Sequence, residues 1–337
     1  PHEGSMRVAE MSAEVNLLAT FKDWRLALGQ LHFKGLQVEL RQADSGHWAI
    51  VGLPQTKASN NNFTIDDPLD IFLFGRRIEL IDTEVTLHFR TEHRAQMTIP
   101  AASLENDAGF HRLKAKVDVD SDSNAFYFVV EGQGDPRNDQ NFNARGYLQL
   151  QQFPLQKVVA ATGLNKGLAI EPGLWSDGSR LDFQLWFTGS TAKGYSFNGG
   201  GKASGLPFKL PGDAEAPAIP QFKYSGQWRR GQGLTLQIAD LGLSWPSVTV
   251  PPIDVQLRAS LSDPVQFNIR ELDVGAWAHA LGELKLSPQI SALQETLAPA
   301  GVLKNIGVTL TDKAAGYFHL QADVVDGAVE SWQGAPQ

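Results

Sequence analysis

The sequence predicts an all-β chain with a few short helices, and three observations carry that reading. Apolar residues alternate with polar ones at a period of two in segment after segment, helix-period stretches are brief, and short polar turns separate the alternating runs. The clearest case is LKAKVDV at 113–119, where Leu113, Ala115, Val117 and Val119 are apolar and every residue between them is charged. Such a run gives a strand one dry and one wet face, whereas on a helix it would scatter the apolar residues around the axis.

The same phase returns in Val85, Leu87, Phe89; in Leu181, Phe183, Leu185, Phe187; in Leu234, Leu236, Ile238; and in Phe318, Leu320, Ala322, Val324. Residues 254–261 alternate, Ser262, Asp263 and Pro264 supply turn chemistry, and Val265, Phe267 and Ile269 resume, which predicts a hairpin with a three-residue loop. At Gly35 the phase slips from Leu31 and Phe33 to Leu36, Val38 and Leu40, as a one-residue bulge requires, so the strand is expected to bend there. Counting such runs gives about 15 to 18 strands, mostly joined by short turns, which implies an antiparallel meander rather than βαβ units. Helices are expected only at 68–74, 154–162, 274–281 and 290–297. The second and third each follow a strand, a weak echo across about 120 residues. The glycine- and proline-rich stretch 199–220 reads as a long loop or a junction between two β segments, and 1–6 (PHEGSM) as a cloning remnant ahead of one elongated segment over 7–337.

Composition removes several function classes. Hydrophobic residues make up 42% and charged residues 20% of 337, which excludes wholesale disorder. Lys and Arg total 29 against 37 Asp and Glu, and the densest basic pieces are the pairs Arg76-Arg77 and Arg229-Arg230, read as solvated strand edges; no stripe suits a nucleic acid. With no cysteine there is no disulfide, thiolate metal site or thiol nucleophile. The longest dense apolar runs, at 126–130 and 71–74, fall far short of the roughly 20 residues of a membrane span.

No catalytic constellation assembles from the motifs. Asp118, Asp120 and Asp122 have calcium-loop spacing, but Ser123 stands where glycine is needed and Val129 where a bidentate glutamate is needed, so a hairpin tip is the better reading. His88 and His93 have no carboxylate at metal-ligand spacing. Gly199, Gly200 and Gly201 lack the following Lys-Ser/Thr of a phosphate loop and read as a flexible turn. A carbohydrate-active rival would use two carboxylates, such as Asp182 or Glu131, with Trp175, Trp186 and Trp228 as sugar platforms; nothing nominates a pair. The expectation is no enzyme, no metal and no cofactor. A structural or adhesin-like scaffold with a tightly packed interior is a third class.

The apolar faces are the most informative feature, because four short helices cannot cover a wide sheet. Two sheets packed as a sandwich, a closed barrel, or a trough around a ligand each solve that problem, and alternation alone does not choose.

The passage FKDWRLALGQLHFKGLQVEL at 21–40 with GHWAIVGL at 46–53 resembles the strand, bulge, strand and G-x-W-x-(I/L)-x-G-L succession of the AsmA-like proteins, particularly the YhdP branch. Further landmarks are DPL from Asp67, RIEL from Arg77, VTLH from Val85, LDVGAW from Leu272 and LAPAGVLKNI from Leu297, so the resemblance covers most of 7–310. It implies a bacterial envelope protein, held by an amino-terminal inner-membrane anchor lying outside this segment, whose elongated, twisted antiparallel sheet forms a periplasmic half-pipe. The implied role is carriage of phospholipids between inner and outer membranes, with acyl chains in the groove and headgroups in water. Other envelope proteins are implied partners. The residues expected to line the groove are Leu36, Val38, Leu40, Val85, Leu87, Phe89, Leu113, Val117, Phe183, Leu185, Phe187, Val255, Leu257, Phe267 and Ile269.

Overall fold

A computed structural model describes residues 6–15, 28–43, 48–51, 75–90, 94–119, 122–136, 140–155, 178–190, 192–205, 218–244, 249–260, 264–283, 298–312 and 317–328, with a few isolated positions besides. The described residues hold 17 strands and one helix in named elements, in two compact units, Pro1–Ala169 and Ile170–Gln337. The expected helices at 68–74, 154–162 and 290–297 lie almost wholly outside the described residues.

The first unit comprises β1 (Glu10–Val15), β2 (Leu28–Lys34), β3 (Gln37–Gln42), β4 (Trp48–Ile50), β5 (Arg77–His88), β6 (Arg94–Asp107), β7 (Phe110–Val119), β8 (Asp122–Gln133) and β9 (Asn143–Pro154). From β5 to β9 each strand pairs antiparallel with the next. Ala108 and Gly109 close β6 onto β7 with φ of 45° and 80°, the pair of positive values a type I′ turn requires. Val119 pairs with Asp122, so the aspartate series is a hairpin tip as expected.

The meander has one departure. β2 and β3 both run parallel to β5, Phe33 opposite Leu80 and Val38 opposite Val85. The slip at Gly35 is also not a one-residue bulge against that neighbour, because the register offset is the same on both sides of it. Instead β5 slips with it. Gly35 (φ 63°) and Asp82 (φ 51°) both take left-handed conformations, Gly35 N donates to Ile81 O at 3.0 Å and Glu84 N to Leu36 O at 2.8 Å. The two strands kink together, and each keeps its apolar residues on one face through the bend.

The packed heart of this unit is Ala115, Val117 and Val119, against which Met97, Ile99, Ala102, Phe126, Phe128 and Phe153 lie. The opposite face is a row of charges on successive strands: Arg77, Glu105, Arg112, Glu131 and Arg145, each directly opposite the next. Glu131 is held by Arg112 and Arg145, both at 2.7 Å. Hydrogen bonds from Arg145 and then Arg112 hold its carboxyl below the usual range. A lowered folded value means that this contribution to stability is present above the unfolded carboxylate range and is lost as pH falls through the folded one. The Glu131→Gln protein is therefore expected to lose about 0.5–1 kcal/mol at pH 7. Urea midpoints at pH 7 and pH 3 check this, the wild type falling further than the variant between the two.

The second unit comprises β10 (Arg180–Ser190), β11 (Gly194–Ser204), β12 (Ile219–Arg229), β13 (Gly233–Ser244), β14 (Thr249–Ala259), β15 (Val265–Asp273), helix α1 (Val274–Glu283), β16 (Ala300–Asp312) and β17 (Tyr317–Ala328). Every successive pair of strands is antiparallel. The expected hairpin at 254–269 forms, but β14 ends at Ala259, so its connection is longer than three residues. At Asp240 (φ 59°) the register against β14 shifts and the apolar phase passes from Leu236 and Ile238 to Leu241 and Leu243. Helix α1 starts where expected because Asp273 Oδ1 accepts from Ala276 N at 2.9 Å, an N-cap, and it packs on β14, β15 and β16.

The expected loop or junction at 199–220 is different in kind. Gly199–Ser204 is the body of β11, Ile219 and Pro220 open β12, and 206–217 lies outside the described residues. Gly199, Gly200 and Gly201 are thus mid-strand and not a turn.

Candidate functional site

In a ladder, directly opposed residues share a face, so the registers decide which side chains meet. In the second unit one row reads Leu185, Gly199, Tyr224, Ile238, Val255, Ile269 and Ile306 across seven strands. Its neighbour on the same face reads Phe187, Phe197, Gly226, Leu236, Leu257, Phe267, Val308 and Leu320 across all eight. Flanking rows add Phe183, Gly201 and Phe222 on one side, and Tyr195, Trp228 and Leu234 on the other. No charged residue interrupts these rows. The intervening positions, such as Gln184, Trp186, Gln227, Gln237 and Gln266, point to the other face.

Over β10–β13 the apolar face is hollowed into a bay of about 500 Å3. Its floor is shaped by aromatic rings lying over glycines of the neighbouring strand. A Cβ on Gly226 would fall 2.5 Å from Phe197 Cζ, one on Gly201 3.0 Å from Phe222 Cζ, and one on Gly199 2.8 Å from Tyr224 Cζ. Phe183 stacks on Tyr224 with ring centres 5.2 Å apart. Tyr224 is buried, and its hydroxyl donates to Gln184 O at 2.8 Å across the glycine strand. Burial pushes that hydroxyl well above the usual phenol range, so it stays neutral and already partnered. Toward the last strand the same face becomes open, with Phe267 39%, Leu320 58% and Phe318 65% exposed.

The first unit has its own apolar face. Leu31, Ile78, Leu104, Leu113 and Val130 form one row, Phe33, Leu80, Ala102, Ala115, Phe128 and Leu148 a second, and Val38, Val85, Met97 and Val119 a third.

All seven residues expected to line the groove in the second unit, Phe183, Leu185, Phe187, Val255, Leu257, Phe267 and Ile269, share one face. In the first unit Val38 opposes Val85 and Leu40 opposes Leu87, with Leu113 and Val117 on that face through β6 and β7. Leu36 lies at the kink ahead of β3, and Phe89 just past the end of β5, both half-buried. Val117, at 4% exposure, belongs to the packed interior.

Trp186 and Trp228 occupy opposite faces, and Trp175 is outside the described residues. Glu131 is held ionised, the wrong direction for a general acid, and Asp182 faces Lys202 at 3.5 Å. His88 Nε2 lies 3.1 Å from Glu39 Oε2, His93 is outside the described residues, and among those described no three metal-ligating side chains gather.

The sequence profile described as "YhdP protein" matches residues 1–337. The chain belongs to the YhdP family. This is a lipid-transport family of the periplasmic envelope. No curated protein and no solved structure matches the chain. Among the described residues no helix is long and apolar enough to cross a membrane.

For a YhdP-family chain the missed residues are as telling as the expected ones. Tyr195, Phe197, Phe222, Tyr224 and Trp228 line or border the bay. Phe222, Tyr224, Gly226 and Trp228 alternate strictly with polar residues, a signal that was present but sat beside a stretch read as loop.

Proposed function

We propose that the protein is a non-enzymatic carrier of phospholipids between the inner and outer membranes. Acyl chains lie on the apolar faces, headgroups stay at the wet edge, and the parent protein works in the periplasm from an inner-membrane anchor. The observation that supports this most is the pair of unbroken apolar rows across the second unit's strands, in which Tyr224 and Ile306 are buried but Phe267 and Leu320 stand exposed, with only α1 packed on these strands among the described residues. Apolar surface of that extent on a soluble protein marks an interaction site. Burying an acyl chain is worth about 0.8 kcal/mol per methylene, which reaches the order of 10 kcal/mol for one membrane-length chain without directional contacts. Such binding suits cargo that must be held and then passed on.

The period of two supplies its own control. Photocrosslinkers introduced one at a time at Leu185, Leu257 and Phe267, in protein purified from bacterial membranes, are expected to capture phospholipid. Neighbours on the other face, Gln184 and Gln266, should capture at least tenfold less. Equal capture from both faces, or none from folded protein, would refute the carrier reading.

A further inference from the structure

The outer face of the second unit's sheet is unlike that of the first. Opposite the acyl rows, Trp186, Asn198, Ser225, Gln237, Gln256 and Asn268 stand directly opposed on successive strands from β10 to β15. The row runs on through Gly307 and Gln321 without a charge. The row beside it, from Thr188 and Ser196 to Gln266 and Thr309, holds a single charged residue, Arg258. On the other side charges return at Lys223, which Asp240 holds at 3.1 Å, and at Asp254. A wet face ordinarily mixes charges of both signs, as the first unit's does from Arg77 and Glu105 to Glu131 and Arg145. Solvation alone leaves the missing charges of this strip unexplained.

What the strip offers is hydrogen bonding and one aromatic plane. Asn198, Ser225, Gln237 and Asn268 are exposed and Gln256 half-buried, and among the described residues no side-chain hydrogen bond engages any of the five. Each amide presents donors and an acceptor at once. An anion would leave the acceptors unmatched and find no cation in the row, and an apolar partner would leave every amide unpaired. An extended peptide carries the same mixture, but it pairs at a strand edge rather than lying on a face. Hydroxyl-bearing sugars both donate and accept. Trp186, 45% exposed at the β10 end of the row, adds a flat apolar surface on which the C–H face of a sugar ring can stack. Ladder spacing sets successive members of the row about 4.8 Å apart, close to the length of one extended pyranose unit.

We infer that this strip binds a neutral glycan chain lying across the strands, with one sugar on Trp186 and the following units over the amides. It binds and does not cut, because no carboxylate lies in the row. The strip is on the face opposite the acyl rows, so it stands apart from the carrier reading and both faces can be filled at once.

The test is calorimetric titration of the whole chain with chitohexaose, with chitobiose for the length dependence and hexagalacturonate as the anionic counterpart. Chitohexaose is expected to bind saturably, about tenfold or more tighter than chitobiose, with an affinity that salt leaves unchanged because no ionised group takes part. Trp186→Ala is expected to weaken it about tenfold or more, Trp186→Phe to restore part of that loss, and Gln237→Ala with Asn268→Ala to weaken it several-fold. Lipid capture at Leu257 should stay the same in all three. Absence of chitohexaose binding to the folded chain, binding no tighter than that of chitobiose, or binding that the Trp186 and amide variants leave intact overturns the inference without touching the carrier reading. Tighter binding of hexagalacturonate overturns it as well, since that ligand calls for cations the row lacks. Should Trp186→Ala misfold by circular dichroism, the exposed amide pair decides: a reduced affinity supports the strip and an unchanged one rejects it.

Discussion

Phe267→Glu is expected to leave the protein folded and to cut lipid capture by a crosslinker at Leu257 at least tenfold, whereas Val117→Asp is expected to unfold it. Both positions alternate with polar neighbours in the same way, and they differ in what covers them. Phe267 is 39% exposed on the open apolar face, and Leu257 lies directly opposite it. A glutamate there forfeits about 1 kcal/mol of partial burial while its carboxylate stays hydrated, yet it makes the path wet for a hydrocarbon chain. Val117 is 4% exposed inside the cluster with Phe126 and Phe128. An unpaired carboxylate there costs about 4 kcal/mol or more, against a total stability of about 5–15 kcal/mol for a domain. Urea midpoints and capture yields measured on both variants separate the cases. A folded Phe267→Glu protein with undiminished capture would show that lipid does not travel over this face, and equal unfolding of the two would show a closed sandwich core instead.

That contrast marks how far the sequence could be read. Strand identity and facing were legible because period-two alternation is a local property: Leu113 to Val119, Leu181 to Phe187 and Leu234 to Ile238 each declare their dry side without knowing their neighbours. Depth of burial was not legible, because it depends on which strand lies alongside and on what covers the face. Val117 and Phe267 therefore looked alike. The charge row from Arg77 to Arg145 was hidden for the same reason, since its members are brought opposite one another only by register. Parallel pairing of β2 and β3 with β5 has no local signature either. The slip at Gly35 did have one, but the matching slip at Asp82 shows that a kink can be shared by two strands with no residue added to either.

The glycines of β11 illustrate the same lesson most sharply and carry the second large expected effect. Three consecutive glycines are by composition a turn, and they fold as mid-strand because each removed side chain makes room for something on an adjacent strand. Gly199→Ala would place its Cβ 2.6 Å from Tyr224 Oη and 2.8 Å from Cζ, and against the Gln184 carbonyl that receives the tyrosine hydroxyl. The ring must swing away, so an overpacking cost of about 1–3 kcal/mol adds to a buried hydroxyl left unpaired, and the variant is expected to lose about 2–4 kcal/mol. Gly307→Ala is the matched control. Gly307 is also mid-strand, in β16, but the nearest atom to its added Cβ is Asn268 Oδ1 at 3.6 Å, an ordinary contact. Removing glycine's excess unfolded-state freedom there should be neutral or stabilising by up to about 1 kcal/mol. Urea midpoints compare the two, and lipid capture at Leu185, opposite Gly199, is expected to fall only in Gly199→Ala, where the displaced ring enters the bay. Equal small effects of both substitutions would mean that the rings are free to leave the glycines and that the bay has no fixed floor.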